Sequence, residues 1–368
     1  ADPRIQLITI TVTEKGYHCG PGGGLDTDHP DVAADLTGEP PRSLPGLLAR
    51  GLARRQSAGG GPLTVVSCDN LPENGAVLER VVSDAVERVV PEVADWIAAH
   101  VTFPLTMVDR ITPATSDADR DEIARLTGLE DAWPVVTEPF SQWVIEDRFA
   151  AGRPPLERAG VQIVDDVRPW EMMKLRLLNG AHSAMAYMGP RLGHAYVSEA
   201  AQDARLTGWL TRMAIEEVMP GLDVPGADLP GYWEDLLTRF RNPAIRHRLD
   251  QIAQDGSQKL PQRLVAPIAE AAAAGRASPM LEAAVAAWLG HVIMAADAGA
   301  ALSDPMDEGL REAGRGADAE AAARAFFGAE GRVCDMLAAH PERVTAIAQK
   351  TARLQRVGAP EFLAELSR

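Results

Sequence analysis

Lys174, Asn179 and His182 interrupt an otherwise apolar run, Glu171-Met-Met-Lys174-Leu-Arg-Leu-Leu-Asn179-Gly-Ala-His182-Ser. At about 100° of turn per residue, an α-helix carries Asn179 roughly 140° and His182 roughly 80° around the axis from Lys174, so all three fit on one side. Met172, Met173, Leu175, Leu177, Leu178, Met185 and Met188 make the surroundings apolar, and such surroundings lower a lysine pKa by penalising its charged form. A lysine nearer neutrality accepts a proton, a carboxamide donates without titrating, and an imidazole does either. The same residue types also serve as solvated surface or satisfied core groups, and spacing alone does not separate the readings. Gly180 sits in mid-helix at a cost of about 1 kcal/mol relative to alanine, which points to a close approach to the backbone there. Arg176 reads as an ordinary neighbour without a role.

The elements that must position these residues fall into two groups. Up to about residue 165 the chain alternates short β-rich runs with helical ones. Ile5 to Val12, Leu63 to Ser67, Val101 to Ile111, Pro134 to Thr137 and Val161 to Val164 read as strands, with Gly75 to Val90 and Asp117 to Leu126 as helices. That alternation predicts an α/β domain with a largely parallel sheet. From Trp170 onward, long Ala- and Leu-rich helical segments replace it, with loops at Pro220 to Pro230, Asn242-Pro243 and Gly256. The expected organisation is a domain over residues 1–168 and a mostly helical domain over 169–368.

A chain of 368 residues suits two such domains, and its net charge of −16 disfavours nucleic acid and anionic membranes as partners. Cys19, Cys68 and Cys334 are far apart, which argues against a disulfide framework and fits a reducing cytoplasm. The apolar stretch from Ala283 to Ala296 is too short for a membrane span and contains His291, so it reads as a buried helix. The eight histidines show no H-E-x-x-H or comparable cluster, and no metal is expected.

Ligands of open α/β sheets bind beyond the carboxyl ends of strands, which singles out Asn70 after Leu63 to Ser67 and Asp109 at the end of its own strand-like run. An Asx turn or helix cap explains Asp69-Asn70 equally well, and Asp109 could pair with a surface cation. The cluster Arg239-Phe-Arg-Asn-Pro-Ala-Ile-Arg-His-Arg248, with Lys259 and Arg263, has the chemistry of a carboxylate clamp or of a solvated, ion-paired face.

Several segments together resemble the polyol-specific long-chain dehydrogenases, the mannitol dehydrogenase family, and within it the fructuronate reductase (D-mannonate oxidoreductase) branch. They are Thr11-Val-Thr-Glu-Lys-Gly-Tyr17, Ser67-Cys-Asp-Asn70 with Glu73-Asn-Gly75, Val101-Thr-Phe-Pro and Met107-Val-Asp-Arg-Ile111. Glu138-Pro-Phe, Gln142-Trp-Val-Ile-Glu-Asp147, the Lys174/Asn179/His182 run and Asp255-Gly-Ser-Gln-Lys-Leu-Pro-Gln-Arg263 complete the set. The K-x4-N-x2-H spacing is the specific part.

The resemblance implies a partial Rossmann-like domain followed by a helical one, and metal-independent, NAD-dependent oxidation of a secondary alcohol. Lys174 matches the general base, Asn70 and Asn179 the pair that hydrogen-bonds the reacting oxygen, and His182 a substrate-orienting residue. Asp109 matches a supporting acid, Glu171 a glutamate that connects the lysine to solvent, and Arg246, His247 and Lys259 substrate-binding positions. The implied site lies where the two domains meet. The implied substrate is D-mannonate or D-fructuronate; the alternatives are a mannitol-type polyol or, without catalysis, a bound sugar acid. NAD is the expected cofactor, with NADP and the oligomeric state left open. Family members begin with a β-α unit whose glycine-rich turn and Phe-His-Arg contact the dinucleotide. That segment does not occur here, no cofactor-binding residue can be assigned, and a protein lacking it would bind NAD poorly. Gly20 to Gly24 is no substitute, because it lacks strand-to-helix context and Pro21 favours a loop.

Overall fold

The computed structural model describes residues 2–20 and 22–367; Pro21 lies outside them. The chain forms two compact units. One takes the residues up to Arg110 together with Pro139–Glu171, and the other takes Ile111–Glu138 and everything from Met172 onward. A single boundary near residue 168 does not describe this excursion of 111–138. Glu138 belongs with the helical unit because its carboxylate pairs with Arg239 there, N–O 2.8 Å, with both side chains buried.

In the first unit, β1 (Leu7–Ile10), β2 (Leu63–Ser67) and β3 (Val101–Thr102) form a parallel sheet in the order β1-β2-β3. All five residues of β2 are buried, as expected of a central strand covered on both faces. Helices α1 (Pro30–Leu36), α2 (Leu44–Ser57), α3 (Asn74–Val89) and α4 (Ala94–His100) accompany it. Leu78, Val81, Val82, Ala85 and Val86 of α3 join Val65, Leu48 and Leu52 in one apolar core, at the i, i+3, i+4 spacing of an amphipathic helix. A second sheet holds β4 (Thr106–Asp109), antiparallel to β5 (Gln142–Glu146), and β6 (Gln162–Val164), parallel to β5. The parallel expectation therefore holds for the first sheet, whereas the second is mixed.

Two strand expectations need correction. Val101 to Ile111 is not one strand: the chain breaks at Phe103-Pro104, where proline has no N–H for a ladder, and β3 and β4 go to different sheets. Pro134 to Thr137 forms no strand, and Val135 is 65% exposed. Pro134 and Pro139 bracket the segment without donors, and it has only the side-chain bond from Thr115 Oγ1 to the Pro134 carbonyl and the bonds near Ile111 to hold it. Asp117 to Leu126 does become a helix, α5 (Asp117–Thr127), with a capping box at Ser116 and Asp119.

The second unit is helical from Met172 onward. Its central element is the helix Pro279–Ala298, the one helix among the described residues long and apolar enough to cross a membrane; 78% of its apolar window is buried inside the protein. Three segments, Lys174–Asn179, Met213–Val218 and Pro261–Val265, widen into π-helical turns. The third follows Pro261, whose missing N–H interrupts the ordinary i→i−4 ladder.

Candidate active site

The residues that open the sequence reading lie along one continuous run: α6 (Arg168–Met173), the π turn Lys174–Asn179 and α7 (Gly180–Met188). Helix α6 puts Glu171 one turn before Lys174, half-buried. The π turn corrects the expected angles. Its bonds run from i to i−5, as from the Gly180 N–H to the Leu175 carbonyl, so each residue turns through less than the roughly 100° of an α-helix. Lys174 and Asn179, its first and last residues, therefore lie closer around the axis than the roughly 140° of an α-helix. Both are half-buried, whereas Met172, expected among the apolar surroundings, is exposed. Arg176 is buried and donates to both carboxylate oxygens of Glu270, at 2.7 and 2.5 Å, a structural ion pair.

The close approach expected at Gly180 is present. A Cβ there would lie 3.3 Å from the carbonyl oxygen of Arg263, in the π turn Pro261–Val265. One helical turn on, Ser183 Oγ accepts a 3.2 Å hydrogen bond from the Arg263 guanidinium. His182, only 5% exposed, packs its ring 4.7 Å from Phe240 and edge-on at 5.2 Å from His247. Burial pushes its pKa well below the ordinary value, and nearby His247, Arg263 and Arg239 add to the effect. His182 is thus a neutral imidazole at pH 7. Its Nε2 and the Nδ1 of His247 are buried without a hydrogen-bond partner. Two unsatisfied ring nitrogens this close are what a hydroxyl-rich ligand would satisfy.

The basic cluster separates into residues with different duties. Arg239 donates Nε and an Nη to the two oxygens of Glu138, at 3.0 and 2.8 Å. Arg246 is exposed, lies over the Tyr196 ring and donates to its hydroxyl at 2.9 Å, and Arg248 pairs with Asp250. Lys259 donates to the Gln254 carbonyl at 2.6 Å and sits 3.8 Å from Asp255. His247 is held by its backbone, whose carbonyl accepts the Val197 N–H. Arg263, like Arg246, has no carboxylate partner among the described residues, but it is half-buried rather than exposed. Burial pulls its pKa down to about 10. Sequence reasoning placed Arg263 in the cluster but had no signal that it would be enclosed without a carboxylate, because its surroundings come from distant segments such as that of Ser183.

In the first unit, Asp69 takes the structural duty at the end of β2. Its carboxylate accepts the Val12 N–H at 2.9 Å and the Tyr17 hydroxyl, leaving the exposed Asn70 as the next residue past the strand. Asn74, fully buried, donates to the Asp69 and Thr106 carbonyls at 3.0 and 3.1 Å and accepts the Thr106 N–H at 3.1 Å, which ties the exit of β2 to β4. Asp109, the last residue of β4, is 2% exposed and pairs in register with Gln142. For a dinucleotide, the exposed carboxamide of Asn70 past the end of β2 is a neutral donor of the kind that suits a neutral ring. The glycine string does not fit phosphate. Gly20 N–H bonds to the Gly24 carbonyl at 2.8 Å across a Cys19–Leu25 bridge, and a Cβ on Gly24 would lie 2.8 Å from the Asp84 carboxylate.

Two domain families match the chain in succession. Residues 2–158 match the mannitol dehydrogenase Rossmann domain and residues 166–355 the mannitol dehydrogenase C-terminal domain. The chain is 42% identical over 366 residues to the uncharacterized oxidoreductase YeiQ of Escherichia coli, covering 98% of this chain and 75% of that one. It is 46% identical over 338 residues to a mannitol 2-dehydrogenase of Pyrenophora tritici-repentis, covering 89% of this chain but only 60% of the relative. Among solved structures it is similar to the Pseudomonas fluorescens mannitol 2-dehydrogenase in ternary complex with NAD and D-mannitol, at a TM-score of 0.78 and 36% identity, over 99% of this chain and 75% of that one. On the evidence of both domain matches and of relatives at this identity, the chain belongs to the mannitol dehydrogenase family of oxidoreductases.

Proposed function

We propose that this protein interconverts a secondary alcohol and its ketone on a sugar acid, D-mannonate and D-fructuronate, without a catalytic metal. The observation that carries the reading is the π turn, which narrows the angle between Lys174 and Asn179 on a run that continues into the buried, neutral His182. Lys174 takes the hydroxyl proton during oxidation and returns it during reduction. Asn179 and Asn70 donate N–H groups to the oxygen as alkoxide charge develops, and His182 orients the substrate through its unpartnered Nε2. Asp109 and Glu171 support the base, and His247, Arg246 and Lys259 bind the substrate's hydroxyls. When bound, NAD supplies the hydride acceptor; residues 1–168 serve it and residues 169–368 serve the substrate.

Arg263 supports the acidic substrate, because a half-buried guanidinium without a carboxylate is a ready partner for one. A second reading, a D-mannitol-type substrate on the same catalytic groups, is favoured by the mannitol 2-dehydrogenases among the relatives. Initial rates of NAD reduction with D-mannonate and D-mannitol decide between them. The expected result is a higher kcat/KM on mannonate, with both activities lost in Lys174→Ala at an unchanged circular dichroism spectrum. Preference for mannitol would select the second reading, and near-normal turnover in the variant would reject the base.

A further inference from the structure

One side-chain cluster in the first unit has metal-binding composition although the sequence reading found none. His18 closes the 3-10 turn Glu14–Tyr17, and His29 is the N-cap residue of α1, whose first turn carries Asp31. A ring nitrogen of each histidine and a carboxylate oxygen of Asp31 all lie within 4.8 Å of one another. We propose that His18, His29 and Asp31 bind a divalent transition-metal ion of the zinc class, at a site separate from the residues proposed for hydride transfer.

Four observations converge on these residues. The donor set comes first: two imidazoles and one carboxylate suit zinc and its neighbours, whereas calcium and magnesium prefer oxygen alone, and three protein ligands leave a fourth position for water. Second, the buried Nδ1 of His18 has no hydrogen-bond partner, so the protein itself leaves this donor atom unused. Third, His18 is one of three non-glycine residues with positive φ among those described, at 52°, a conformation that side chains rarely adopt and that holds the ring 4.3 Å from that of His29. Fourth, the connecting loop is pinned rather than open. The Asp26 N–H bonds to the His18 carbonyl at 2.7 Å and Cys19 bridges to Leu25, which brings together residues 18 and 29.

Asp26 and Asp35 add negative potential around His18, which favours a cation there. His29 accepts the Asp31 N–H only weakly, at 3.3 Å, and metal binding exchanges that contact for coordination. The sequence hid the cluster because its members are spaced as His-x10-His-x-Asp, which matches no helix or hairpin motif; a pinned loop creates the proximity.

The test is a titration of the untagged, metal-stripped full chain with zinc in competition with a chromophoric chelator, repeated with cobalt to read its visible d–d band. One equivalent of saturable binding is expected, weakened at least about tenfold in His18→Gln and in His29→Gln, the loss that even an outer-sphere partner can cause. Asp31→Asn, at a partly exposed position, gives the same readout if a histidine variant fails to fold. Absence of saturable binding to the parent chain overturns the proposal. So does binding that survives these substitutions but is lost in Cys19→Ser.

Discussion

Replacing Arg263 with methionine separates substrate recognition from stability. The guanidinium bonds to Ser183 Oγ at 3.2 Å and forms no ion pair among the described residues. Burial lowers its pKa from 12.5 to about 10. At roughly 1.4 kcal/mol per pH unit, the charged form carries a penalty of about 3 kcal/mol. At pH 7 the group is charged in the folded and unfolded chain alike, so the ligand-free protein bears that penalty in full, and a substrate carboxylate would relieve it. A charge-assisted hydrogen bond contributes about 1.5–3 kcal/mol, so Arg263→Met lowers kcat/KM on D-mannonate by about 10–100-fold. D-Mannitol, which has no carboxylate, changes by less than about threefold. Stability moves the other way. Losing the Ser183 bond costs about 1 kcal/mol while removing the buried charge returns more, so the urea midpoint stays level or rises. Steady-state kinetics on both substrates and one denaturation curve suffice. An equal loss on the two substrates, or a lowered midpoint with mannonate turnover intact, refutes the reasoning.

Three further substitutions probe how the chain is held. His182 is neutral when folded but titrates near 6.5 when unfolded, so below pH 6.5 the unfolded chain binds the extra proton and stability falls as pH drops. Between pH 6.5 and 5 this contributes a loss of about 1.5 kcal/mol, which His182→Asn should remove from the difference between urea midpoints at the two pH values; an unchanged difference would contradict it. A Cβ at Gly75 would meet the backbone carbonyls of Pro104 and Phe103 at 2.4 and 2.7 Å, so Gly75→Ala is expected to cost about 1–3 kcal/mol by thermal denaturation. Gly51→Ala, in the exposed interior of α2 with nothing within 4 Å, should instead stabilise by about 0.5–1 kcal/mol.

Local physics was legible where it acted alone. β2 occupies Leu63–Ser67, the run read from its β-branched residues, and α3 begins one residue before the predicted Gly75. The break at Pro104 and the failure of Pro134 to Thr137 to pair arise from donors that prolines lack, a signal present in the sequence but outweighed there by β-rich composition. Other features depend on residues far apart. Glu138 and Arg239 are 101 positions apart, and nothing in either segment marks the other as its partner. That pair ties the end of 111–138 to the helical unit, and it occupies the arginine that opened the apparent carboxylate clamp. Periodicity also misled about the catalytic run itself, since an assumed 3.6-residue repeat cannot reveal a turn closed by i→i−5 bonds.

The π turn explains why Gly180 belongs where an alanine would be the better helix former. An α-helical Lys174 and Asn179 would stand roughly 140° apart around the axis; the wider turn narrows that angle. Such a turn gives up regular i→i−4 bonding and needs support from outside its own segment. Pro261–Val265, itself widened behind a proline, supplies that support by bringing the Arg263 carbonyl to 3.3 Å of where a Gly180 Cβ would stand. The backbone of Arg263 thus buttresses the turn that aims Lys174 and Asn179, while its guanidinium reaches Ser183 one helical turn beyond. Under the proposed function, the residue that recognises the acid end of the substrate is anchored to the turn that carries the base. A substitution that removes only the guanidinium should therefore change which substrate is preferred while leaving Lys174 and Asn179 in place. A change at Gly180, which pushes the two backbones apart, should reduce turnover of every substrate together.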